Sequence, residues 1–161
     1  MQYPSLDKVL SNKARALAKG PVALVFIEDE VEVNSTLRHH LDTGFDPVGA
    51  LMPASFKLAA DVERAVLRVT HDTSRRDDCI ATVNKVIAAA PGLWLYYCFN
   101  AEYLFYPFCE NRRIGEMLQF HAEERREAML AYVVDLYAGD LDRFPDAVSL
   151  EDAHLDKSGY Y

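Results

Sequence analysis

A chain of 161 residues, 50% hydrophobic and 26% charged, has the size of one compact domain and excludes two full-sized ones. Its 25 acidic side chains outnumber 17 basic ones, for a formal charge of −8. The Arg75–Arg76 and Arg125–Arg126 pairs stand beside acids, so there is no basic face for nucleic acid, and an anionic membrane surface is disfavoured too. Cys79, Cys98 and Cys109 are odd in number and lack metal-ligand spacing; they read as reduced thiols of a cytoplasmic protein. No apolar run approaches the roughly 18 residues of a membrane span, and MQYPSLDKVL has no signal-peptide build.

From Ser5 to Ala18, Leu6, Val9, Leu10, Ala14 and Leu17 recur at helical spacing behind Ser5 as N-cap, and Gly20–Pro21 ends the helix. The continuous apolar run Pro21–Ile27 suits a strand covered on both faces. Glu28, Asp29, Glu30 and Glu32 then favour a helix N-terminus, with the helix expected over Val31–Asp42 and closed by Thr43–Gly44. Asp46–Pro47 turns the chain into a strand at Val48–Met52. Ala54–Glu63 reads as a loop with one short helical turn, and Ala65–Thr70 as a third strand. After the polar HDTSRRDD, the spacing of Cys79, Ile80, Val83, Val86, Ile87 and Ala90 predicts a helix stopped by Pro91–Gly92. GLWLYYCF is β-prone, a helix carries Ile114, Met117, Leu118 and His121 on one face, and Met129–Ala138 reads as the last strand. Gly139–Tyr161 is loop-like. This alternation predicts an α/β fold, a mostly parallel central sheet flanked by helices.

Ligands of such sheets bind outside the carboxyl ends of the strands, here Glu28–Glu30, Pro53–Ser55, His71–Asp72 and Asn100–Glu102. Glu28, Asp29 and Glu30 could hold a ribose or a metal, or be a solvated helix start. His39–His40 with Asp42, and His71–Asp72 with Asp77–Asp78, lack the helical spacing of a metal site. The tyrosines after Trp94 suit either a ligand-stacking wall or a core. No phosphate loop, GxSxG elbow or Cys/His pairing is present, so these residues alone name no reaction and no catalytic residue.

Five stretches in order resemble the family 2-like glycosyltransferases of GT-A fold, in a bacterial branch close to family 92. VFIEDE looks like the first strand of that family, with Glu30 at its Glu. HLDTGF, from His40 to Phe45, is similar to its His-xxx-Gly-Phe. RRDDCIATVNKVI resembles the helix before its metal strand. GLWLYYCFNAEYL matches the stretch in which Trp and an apolar run precede Asp-x-Asp-Glu-Phe-Leu, keeping Trp94, Glu102 and Leu104. LDKSGYY resembles a Phe-Asp-x-x-Gly-Tyr-Tyr near the acceptor side.

The resemblance implies one GT-A-like, Rossmann-like domain over residues 1–161, possessing or descended from nucleotide-sugar-dependent sugar transfer. It implies nucleotide-sugar binding at Glu28, Glu30, Ser55, Asn100 and Glu102. Phe99 and Ala101 stand where the family's two metal-binding aspartates belong, and MPASF keeps only Ser55 of its Asp-x-Ser-x-Asp. No metal site is therefore expected, and Mn²⁺ or Mg²⁺ would serve only if activity is retained. Such enzymes usually continue beyond this length, so the chain is expected to be a fragment or a degenerate transferase. The alternative is a non-catalytic GT-A-like binding or assembly domain. The apolar Met129–Ala138, left uncovered, predicts a homodimer.

Overall fold

The structure is a computed structural model that describes residues 1–12, 16–17 and 20–155. Its contacts divide the chain into two compact units, Met1–Glu124 and Arg125–Tyr161. In the first unit, β1 (Gln2–Tyr3) and α1 (Leu6–Ser11) precede β2 (Val22–Phe26), α2 (Val33–Thr43) and β3 (Val48–Met52). Then come α3 (Ala60–Ala65), β4 (Leu67–Thr70), α4 (Arg76–Ala89), β5 (Leu95–Phe99) and α5 (Ile114–Glu123). Among the described residues, these strands make one all-parallel sheet in the order β1-β4-β3-β2-β5. The fold is α/β and Rossmann-like.

The runs VALVF and VGALM are continuous because both faces of β2 and β3 are covered; no residue of β2 is more than 3% exposed. On one face, α2, α3 and α5 bring Val33, Leu37, Val62, Ile114 and Leu118 onto Ala23, Val25, Ala50 and Met52. On the other, α1 and α4 bring Val9, Cys79, Val83 and Val86 onto Val22, Leu24, Phe26 and Leu51. The chain steps from β2 to β3 to β4 in one direction, then reverses to place β5 on the other side of β2. A reversal with constant crossover handedness requires the opposite face, which is where α4 lies. Gly44 ends α2 in the left-handed region (φ 101°), where a side chain is strained.

Most elements fall where the apolar patterning puts them, with three differences. The short strand β1, whose two residues carry no periodicity, was not expected; it pairs with β4 at Gln2↔Arg68. The helical turn expected within Ala54–Glu63 becomes the six-residue α3, so the third strand starts at Leu67 rather than Ala65. The helix expected over Ser5–Ala18 is present as Leu6–Ser11; residues 13–15 and 18 lie outside the described residues.

The second unit corrects a larger expectation. Of Met129–Ala138, only β6 (Leu136–Ala138) is a strand, paired antiparallel with β7 (Ala153–Leu155) in a separate sheet. β-propensity becomes a strand only where a partner ladder exists, and residues 129–135 take no strand conformation. Leu130, Tyr132 and Val133 are more than half exposed. No described helix is long and apolar enough to cross a membrane.

Burial separates the two apolar populations energetically. Leu37→Ala, at a position fully buried beneath α2, is expected to lower unfolding stability by about 2–5 kcal/mol. Leu130→Ala, at an exposed position, should stay within about 0.5 kcal/mol of the parent. Urea denaturation of both variants checks the contrast.

Candidate functional site

The order β4-β3-β2-β5 makes β2 the strand at which the sheet changes direction, and ligands of doubly wound sheets bind at the carboxyl ends flanking such a reversal. Here those ends are the loops after β2, residues 27–32, and after β5, residues 100–104. The exit of β2 is tied to every neighbouring loop. Thr73, after β4, donates its hydroxyl to the Ile27 carbonyl at 2.9 Å. Glu30 Oε1 accepts the Lys57 N–H, beyond β3, at 3.1 Å. Asn100, after β5, makes the closest link. Its Oδ1 accepts the Glu28 N–H at 3.0 Å, and its Nδ2 donates to Asp29 Oδ1 at 2.7 Å and the Val31 carbonyl at 3.1 Å.

Four of the five residues singled out from sequence therefore gather at or beside the β2/β5 reversal. The Glu28 and Glu30 carboxylates are exposed there, and Asn100 spans the gap. Glu102 turns back so that Oε2 accepts the Phe99 N–H at 2.8 Å. This satisfies a backbone donor at the end of edge strand β5. Ser55 stands apart, exposed in the turn after β3. That turn is braced by Arg68 of β4, which donates to the Ala54 and Phe56 carbonyls at 3.2 and 2.7 Å and pairs with Glu63 at 3.0 Å.

The loop after β5 is also stitched along α2 by residues that apolar periodicity does not reveal. Ala101 N–H donates to Thr36 Oγ1 at 3.0 Å, and the Tyr103 hydroxyl lies 2.9 Å from Ser35 Oγ, which also bonds the Glu32 carboxylate. His39 Nε2 meets the Leu104 carbonyl at 2.8 Å and so carries the proton of that bond. Ala101 (φ 61°) and Glu32 (φ 49°) are both left-handed, a conformation costing about 1 kcal/mol or more in a residue with a side chain. The only local sequence signal was the Asp29-x-Val31 spacing, whose carboxylate accepts the Val31 N–H at 2.8 Å.

Behind the reversal, His40 is fully buried, stacked on Tyr96 and tilted against Phe45, while those two rings also stack on each other. Its Nδ1 lies 2.8 Å from the Thr36 carbonyl, which can only accept, so Nδ1 bears the proton. Nε2 is then the acceptor facing Cys98 Sγ at 3.7 Å. Burial lowers the His40 pKa to about 4 and pushes the Cys98 thiol up, which keeps both groups neutral. His40 is thus a satisfied core residue. On the α4 side, His71 sets its ring against Phe26, and burial lowers its pKa despite the opposing charges of Asp78 and Asp72.

These residues do not fit a divalent cation. Phe99 and Ala101 offer no side-chain oxygen, Glu102 holds a backbone N–H, and no group of three or more His, Cys, Asp or Glu among the described residues could hold a metal ion. In comparisons with known proteins, no family model, curated protein or solved structure matches the chain.

Two outcomes follow from this geometry. Glu102→Ala should lower stability by about 1–3 kcal/mol by stripping the Phe99 N–H of its charged acceptor, with Glu102→Gln losing less; thermal melts of the two variants read the order. For His40, the unfolded ring takes up a proton near 6.5 and the folded ring only near 4, so the unfolded state is favoured as pH falls between them. Stability from this group is full above pH 6.5 and drops by about 3 kcal/mol by pH 4. The His40 ring resonances should not titrate at pH 5.5, and denaturant melts of His40→Gln should lack that slope.

Proposed function

We propose that the chain is a glycosyltransferase-like domain of GT-A type that takes a nucleotide-sugar donor at the carboxyl ends of β2 and β5. The observation that carries this reading is the reversal of strand order at β2, with Glu28, Glu30, Asn100 and Glu102 at or beside that point. Two of them, Glu30 and Glu102, are among the positions that keep the identity of the family the sequence resembles.

A specific observation favours the second reading, a non-catalytic GT-A-like binding or assembly domain. Asn100 spends both its donors and an acceptor lone pair on the β2 loop, and Glu102 and Glu30 each hold a backbone N–H. The exposed carboxylates of Glu28, Asp29 and Glu30 disfavour a diphosphate unless a cation intervenes, and the described side chains offer no site for one. Donor binding without metal-dependent transfer reconciles both observations. For assembly, the support is the exposed apolar Leu130, Tyr132, Val133, Val134 and Leu136, which suit a homodimer interface.

Titration calorimetry with a uridine diphosphate sugar, with and without Mn²⁺, tests the reading. The expected result is donor binding of equal affinity in both, with no sugar released. Micromolar Mn²⁺ binding that disappears in Glu102→Ala would restore a metal-dependent transferase, and absence of any donor binding would leave the assembly domain. Sedimentation at several concentrations is expected to show a dimer; a monomer at high micromolar concentration overturns that part.

A further inference from the structure

In the second unit, the chain leading into β6 alternates with a period of two. The even positions Ala128, Leu130, Tyr132, Val134 and Leu136 are all apolar, whereas the odd ones include Glu127 and Asp135. That alternation is realised where β6 begins. Leu136 stands opposite Leu155 of β7, and Tyr137, on the other face, sets its ring 5.8 Å from that of His154. Before Leu136, residues 129–135 take no strand conformation. Leu130, Tyr132, Val133, Val134, Leu136 and Tyr137 are 47–83% exposed. Together these side chains offer on the order of 800 Å² per copy, the scale of one partner's share of a stable interface. Among the described residues the β6–β7 sheet has two strands, and a two-stranded ribbon by itself is marginal in water.

We propose that this run is occupied by the same run of a second copy, the two pairing as antiparallel strands across a two-fold axis at Tyr132. The joint extends the β6–β7 ribbon to four strands. The inference rests on the homodimer reading and specifies how the dimer is built. A two-fold axis needs a self-complementary segment, and two features of this one fix where the axis falls. Opposed residues of an antiparallel pair share a face, so the axis must pass through a residue for the apolar even face to continue across the joint. An axis at Ala131 sets Glu127 opposite Asp135, which opposes like charges. At Tyr132, the middle of the even face, Leu130 meets Val134, Ala128 meets Leu136 and Asp135 meets Met129, so no like charges are opposed. The ladder stops at Leu136, because the Ala138 N–H is already donated to the Ala147 carbonyl at 2.8 Å.

The test combines sedimentation of the full chain with cross-linking by a short bismaleimide, the bridged peptides being identified by mass spectrometry. The variants are Tyr132→Cys, Leu136→Cys and Tyr132→Asp, all at exposed side chains, where substitution leaves the fold little changed. Tyr132→Cys is expected to bridge position 132 to position 132, because opposed Cα atoms lie about 5.5 Å apart. Leu136→Cys lies on the same face, but its two copies stand about eight residues apart along the joint, roughly 27 Å, and give no bridge. Tyr132→Asp opposes two carboxylates and should weaken dimerisation by at least about tenfold. A dimer that does not bridge at position 132, or that bridges as readily at position 136, overturns the strand joint and leaves the homodimer to another surface. A dimer indifferent to Tyr132→Asp overturns the joint in the same way. A monomer at high micromolar concentration overturns both the joint and the homodimer, and the run then belongs to a different partner.

Discussion

The parallel ladder on both sides of β2 is the constraint on which the rest depends. Val22–Phe26 pair with Leu95–Phe99 on one side, and Ala23–Phe26 with Val48–Leu51 on the other. A strand buried on both faces and both edges has no access to water, so each of its N–H and C=O groups must find a strand partner. Gly49 belongs to the same constraint, since a Cβ there would meet Leu24 Cδ2 at 3.1 Å and Ala23 O at 3.4 Å. With β2 placed, parallel connections need crossovers, and the crossovers set the helices on the two faces.

That central position also explains why the loops converge as they do. Every strand of a parallel sheet exits at the same end, so the neighbours of β2 deliver their loops to its exit. Carbonyls and N–H groups at the end of a buried strand no longer have ladder partners. Thr73, Asn100 and Glu102 supply those partners from the side, at the Ile27 carbonyl, the Glu28 N–H and the Phe99 N–H. The chemistry expected of Asn100 and Glu102 toward a nucleotide is thereby in competition with their service to the backbone. Left-handed Glu32 and Ala101 lie at the same junction, where strain is tolerated because hydrogen bonds from α2 surround it.

The buried His40 and the exposed acids show two fates of ionisable groups at neighbouring positions. His40 lies inside the helix–sheet layer and is kept neutral by desolvation, with its two nitrogens matched to a carbonyl and a thiol. Glu28, Asp29 and Glu30 begin just past the buried strand and stand exposed to water, with Asp29 and Glu30 also accepting backbone N–H groups. The net negative rim is thus a direct consequence of where the apolar run stops.

The sequence by itself determined the class of the fold and the positions of its main layers. Continuous apolar runs at 22–26 and 48–52, and helical spacing at 79–90 and 114–121, translate into strands covered twice and helices with one buried face, although Ile80 and Ile87 of that spacing are exposed. Local chemistry also made Glu28, Asn100 and Glu102 legible as residues at strand ends. Tertiary structure alone decided their partners, because a hydrogen bond spanning 72 residues, as between Glu28 and Asn100, leaves no periodic trace in the chain. It decided that His40 is core and His39 faces a loop, since adjacent helical residues point in different directions and only packing chooses between them. It decided as well that residues 129–135 are not a strand, whatever their β-propensity: a strand is a property of two segments, and one segment's sequence cannot supply the other's hydrogen bonds.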